Sequence, residues 1–150
     1  MTRTLATAAL WLALSTSMAL GGSPETTYFP HPGSPKPFSS AVKVGHFVYI
    51  SGATGRAADG SLPADFSVEA TNGMNAVAAE LKLAGATLDD VYKCVVALTD
   101  MSHWDAFNAV YVKYFKPDRL PVRMAIGVAS LAGAAVEVQC EAYVAQESGL

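Results

Sequence analysis

The sequence predicts an α+β domain in which one β-sheet carries two helices on a single face. Three observations lead there. Two segments repeat their apolar residues with a helical period, and several others alternate apolar and polar residues as strands do. Their order along the chain is ββ-α-β-α-ββ, which suits a layer of helices on a sheet. The chain of 150 residues is of one-domain size.

Each element can be justified in turn. Residues 41–44, Gly45 and residues 46–51 read as strand, turn and strand, and residues 52–66 as a turn-rich loop. From Ser67 the period changes. Ala70, Met74, Val77, Leu81 and Ala84 lie on one helical stripe, with Ser67 as the expected cap and Gly85 as a left-handed stop. Residues 91–98 form a third strand. Ser102, with Asp105 three residues on, is expected to open the second helix, whose stripe is Trp104, Phe107, Tyr111 and Tyr114. Pro117 and Pro121 bracket the next loop. Residues 123–129 are a fourth strand, residues 131–135 a turn with Gly133, and residues 136–145 the last strand.

The N-terminus has a different character. Arg3 precedes an uncharged run over residues 5–14, and Ser17-Met18-Ala19 supplies small residues where a signal peptidase reads. A membrane-spanning helix needs roughly twenty apolar residues, about twice this run. Residues 1–20 are therefore expected to be a signal peptide. The protein would be exported, periplasmic or secreted, and free of the membrane after cleavage. Residues 21–40, rich in Pro, Gly and Ser, are expected to be an extended arm, and residues 41–146 the folded domain.

Composition excludes some partners. The formal charge is −3 and the basic residues are scattered, so a phosphate backbone finds no basic stripe and nucleic acid is not expected as a partner. His31, His46 and His103 have no ligand spacing, and no metal site is expected. Cys94 and Cys140 could pair in an oxidising compartment. Alternation places both on the buried side of strands, where unpaired cysteines also occur as small apolar residues, and the expectation is unpaired burial.

Alternation also sorts the faces of the sheet. Val136, Val138, Cys140, Ala142 and Val144 form an apolar row toward the helices, leaving Glu137, Gln139, Glu141 and Tyr143 on the other side. Met124, Ile126 and Val128 are the bulky row of the fourth strand, so Arg123, Ala125, Gly127 and Ala129 are expected on the helix-free face, together with Glu137. That face also carries Val95 and Ala97, and its apolar character calls for cover by other copies of the chain. An arginine among small residues can grip a carboxylate through two parallel hydrogen bonds. A nearby glutamate can hold a water molecule and move its protons. Together they suit hydrolysis at the carbon beside an acid group.

Several motifs then carry a resemblance. Pro37-Phe38-Ser39-Ser40-Ala41-Val42, Ser51-Gly52, Leu98-Thr99-Asp100-Met101, Phe107-Asn108-Ala109-Val110-Tyr111, Tyr114-Phe115, Leu120-Pro121-Val122-Arg123 and Val136-Glu137-Val138 are similar, in this order, to the reactive intermediate deaminase (RidA, or YjgF) family. The resemblance runs from about Pro37 to Ala145. It implies a chorismate-mutase-like fold with one mixed sheet, assembled as a homotrimer with clefts between subunits. It also implies hydrolysis of 2-aminoacrylate and related 2-imino acids to 2-keto acids and ammonia, without metal or organic cofactor. By the same resemblance Arg123 binds the substrate carboxylate, Glu137 positions water, and Ser51 and Asn108 line the site. Phe38 stands where a tyrosine is common, and Ala125 where many members carry a cysteine. The competing reading is an exported module that binds a small carboxylate in the same cleft without catalysis.

Overall fold

The structure, a computed structural model, describes residues 23–33 and 35–145. The expected signal peptide lies outside the described residues. Alternating residues and turn glycines produce seven strands: β1 (Thr26–Pro30), β2 (Ser39–Val44), β3 (Phe47–Ile50), β4 (Ala53–Thr54), β5 (Val91–Leu98), β6 (Val122–Gly127) and β7 (Val136–Tyr143). They form one mixed sheet in the order β1-β2-β3-β7-β5-β6, and the short β4 also pairs with β7. The β5–β6 pair is parallel and the other pairs are antiparallel. A parallel pair needs a crossover, and the helix between β5 and β6 supplies it.

Helix α1 (Phe66–Leu83) turns Ala70, Met74, Val77 and Leu81 onto the sheet, each fully buried. Its cap is Asp65 rather than Ser67. The Asp65 carboxylate accepts from the Val68 N–H at 3.0 Å, and Ser67 lies inside the first turn. Gly85, at φ +75°, ends the helix in the left-handed region, as the sequence implied. Helix α2 (Trp104–Tyr111) is preceded by a 3₁₀ turn at Met101–His103, and Asp100 caps that turn by accepting from the Ser102 N–H at 2.8 Å. Ser102 is thus a capped residue, not the cap. Both helices lie on one face, packed on each other, and Phe107 of α2 is buried with Val96, Leu98, Val136 and Val138 of the sheet.

The N-terminal arm departs from expectation. Residues 26–30 are not a free extended segment but a strand paired antiparallel with β2, whose own start is Ser39. An edge strand tolerates proline because one of its sides donates to no neighbour, and Pro30 sits at the strand's end.

Cys94 and Cys140 are joined in a disulfide. Alternation correctly sends both toward the helices. What it lacks is register: β5 and β7 place the two residues directly opposite each other, within bonding reach.

Candidate active site

Arg123 lies on β6, the edge strand, in register with Cys94 of β5. Because Cys94 points to the helices, so does Arg123. The expected assignment of this strand is inverted: Val122, Met124 and Ile126 are the exposed, helix-free row, and Arg123 and Ala125 lie on the helix side. β6 is an edge strand with its bulky residues left outside the core, so apolar size misreports which face is inward.

The helix side suits a guanidinium. The Arg123 Nη2 donates to the Asn108 Oδ1 at 2.7 Å, and its central carbon lies 4.8 Å from the ring centre of Tyr111, 5.2 Å from Trp104 and 5.7 Å from Phe107. Residues 104, 107, 108 and 111 fall on one face of α2. The amide fixes one edge of the plane, and the aromatic faces hold the cation without neutralising it. Burial pushes the Tyr111 hydroxyl up to about 12, against the opposing pull of Arg123, so the ring stays neutral. Among the described residues no carboxylate lies within ion-pair distance of Arg123.

Glu137 belongs to the other side of the sheet. On β7 it alternates with Val136 and Val138, which are fully buried under α1, so it faces away from the helices. Its neighbours are at the end of β3. A Cβ on Gly52 would overlap the Glu137 carboxylate, so only a glycine lets that carboxylate lie over the chain here. Ser51 donates from its hydroxyl to the Ser39 carbonyl at 2.7 Å, and Gln139 donates from Nε2 to the Ile50 carbonyl at 3.2 Å. Phe38, beside Ser39, is exposed.

The predicted residues therefore fall into two half-sites. Arg123 and Asn108 meet on the helix side of one edge, while Glu137 lies on the helix-free side with Ser51 and Gly52 at the end of β3, and Phe38 is exposed just before β2. The expectation that Arg123 and Glu137 share a face within one chain is overturned. The aromatic bed of Arg123 and the bracing by Gly52 and Gln139 were not singled out from sequence. The spacing of Trp104, Phe107, Asn108 and Tyr111 carried the signal for the first.

The fold and these half-sites define a class of small mixed-sheet proteins with an edge arginine, and comparison with known proteins identifies it. The model of the family Endoribonuclease L-PSP matches residues 30–144. The chain belongs to this family, that of the YjgF and RidA proteins. It is similar to the human 2-iminobutanoate/2-iminopropanoate deaminase, 34% identical over 114 residues that cover 74% of this chain and 82% of the relative. It is 32% identical over 114 residues to a RutC family protein of Pyrococcus abyssi, covering 71% of this chain and 86% of the relative. Among solved structures it is similar to RidA from the Antarctic bacterium Psychrobacter sp. PAMC 21119, with a TM-score of 0.69, 32% identity, and 83% of this chain and all of that one covered.

Proposed function

We propose that the protein hydrolyses 2-imino and enamine acids, of the 2-aminoacrylate kind, to 2-keto acids and ammonia. The reaction takes place between protomers of a homotrimer. Arg123 of one copy grips the substrate carboxylate, while Glu137, with Ser51 and Phe38, comes from the next. The observation that carries this reading is an Arg123 held flat by Asn108 and three aromatic rings, with no carboxylate in ion-pair distance among the described residues. A bidentate anion fits such a group. Relatives named as imine deaminases at this level of identity support the same chemistry.

The placement of the half-sites favours assembly. Arg123 and Glu137 face opposite sides of one sheet, and the helix-free side exposes Tyr49, Tyr143, Met124 and Ile126 at 40–56% of their surface. An apolar face of this kind is suited to burial against another copy. In the step itself the Glu137 carboxylate takes a proton from water as the oxygen bonds to the imine carbon. The resulting carbinolamine takes that proton on nitrogen, and as ammonia leaves, its hydroxyl gives its own proton back to the Glu137 carboxylate, so that the C=O of the keto acid forms. No redox change is needed, and no cofactor enters the scheme. Export from the cytoplasm remains part of the proposal. The ribonuclease in the family's name is not carried over, because the chain is acidic and Lys93, Lys116 and Arg119 are paired with carboxylates.

The test is loss of freshly generated 2-iminopropionate, followed by semicarbazide trapping of what remains. The native protein should accelerate it and Arg123→Ala should not. Equal rates for both would end the carboxylate-clamp reading. The hydroxyl-free Phe38 favours one other reading, a carboxylate-binding module, which tight keto-acid binding by a protein without imine turnover would support.

A further inference from the structure

Glu69, on the first turn of α1, is a charged side chain that the proposed reaction leaves unused. It is 4% exposed, and among the described residues no cation lies within ion-pair distance of it. A carboxylate in such a place needs strong donors. Here they are backbone amides. Its Oε1 accepts from the Ala135 N–H at 2.6 Å and from the Val136 N–H at 3.3 Å, the two residues just before Glu137. Glu80, about three turns further along the helix, lacks such donors: burial raises its carboxyl to about 7, and its Oε2 has no partner.

The contacts around Glu69 converge on the start of β7. β4 pairs with β7 through Ala53 opposite Val138 and Thr54 opposite Glu137. Past Thr54 that ladder stops, and Glu69 supplies the acceptor that a longer strand would have given. Gly55 permits this approach, since a Cβ there would overlap the Glu69 backbone and side chain; Gly52, at the other end of β4, does the same for Glu137. The Asn72 Nδ2 of α1 donates to the Gly55 carbonyl at 3.3 Å, and the Thr99 N–H donates to the Ala135 carbonyl at 3.1 Å.

We infer that Glu69 is a positioning residue for Glu137: it fixes the backbone from which that side chain leaves β7, and so aims the carboxylate at the reacting water. In its effect on rate this rests on the deaminase reading. It carries a particular signature. Glu137 acts as water adds, whereas Arg123, on the other side of the sheet, holds the substrate. Loss of Glu69 therefore lowers kcat and leaves KM nearly unchanged. Glutamine keeps an oxygen acceptor in the same place and restores the aim.

Steady-state imine hydrolysis by the whole chain carrying Glu69→Ala, Glu69→Gln or Val77→Ala tests this. The carbon-13 signal of the Glu137 carboxyl, assigned through Glu137→Gln, is followed in each. Val77 is fully buried on the same helix, so its truncation destabilises through a cavity alone. Glu69→Ala should lower kcat about 100-fold, with KM within about twofold, and shift the Glu137 signal. Glu69→Gln should bring kcat back to within about threefold of native and leave the signal in place. Val77→Ala should keep the native kcat. If Glu69→Ala does not fold, Glu69→Met fills the same volume without a carboxylate oxygen, and the same values apply. An equal loss of kcat in Val77→Ala, or an unmoved Glu137 signal in the folded Glu69 variant, would overturn the inference. A native protein without imine turnover would sink the deaminase reading by itself, and the Glu137 signal would then decide the positioning role alone.

Discussion

Arg123 suits the proposed carboxylate grip because its surroundings fix its plane without cancelling its charge. Asn108 holds one edge, three rings bed the cation, and among the described residues no carboxylate pairs with it. Arg123→Lys keeps the charge but loses the planar fork, so we expect kcat/KM for an imino acid to fall far more than stability does. Comparing steady-state kinetics with thermal melting checks this. Gly52 has a matching role on the other half-site. Gly52→Ala would push the Glu137 side chain aside; since that side chain can rotate away, the melting temperature should change little. Activity should still fall by about 100-fold, the scale associated with a misplacement of roughly 1 Å. Glu80 leads to a prediction about stability. Its carboxyl titrates at about 7 in the folded protein against a usual 4.5, so the folded state keeps the proton longer. Its contribution to stability therefore falls as pH rises from about 4.5 to about 7 and levels off above. Glu80→Gln should remove that slope, which denaturant titrations at pH 4 and pH 8 would reveal as a difference on the order of 1 kcal/mol, because the group is partly screened by solvent. The sequence singled out Arg123 and Glu137 for the proposed site. Their partners were legible only as spacing, since Asn108 and the rings reach Arg123 across a fold that the linear chain does not display.

At the scale of elements, long periodic segments were read well. The α1 stripe is buried as its spacing required, and β5 spans the residues expected. The failures share a cause, which is dependence on a neighbouring strand. β6 was turned over because an edge strand can leave Met124 and Ile126 outside the core of a single chain. β1 was missed because proline and glycine mark a loop unless an edge is available to pair with. The cysteines were expected unpaired, and the disulfide overturns that, because alternation gives the face but not the register. That bond closes a loop with a sequence separation of 46. Removing it by Cys94→Ala with Cys140→Ala should lower unfolding free energy by about 2–4 kcal/mol, measured by urea titration of the native and doubly substituted proteins. An unchanged midpoint would mean the cross-link does not restrain the unfolded chain.

At the scale of the whole molecule, the proposed site is divided between two places on the chain. One sits on the helix side of the β6 edge, and the other where β3 and β7 meet on the helix-free face. A single copy cannot bring Arg123 to Glu137, and the exposed tyrosines and aliphatic residues of the open face suit contact with another copy. Subunit mixing tests this arrangement most directly. Arg123→Ala and Glu137→Gln proteins, each inactive alone, should regain imine hydrolysis when unfolded and refolded together in equal amounts. If each site takes its arginine from one protomer and its glutamate from the next, random trimers should show about one quarter of native activity. Mixed oligomers that form but stay inactive would contradict the account.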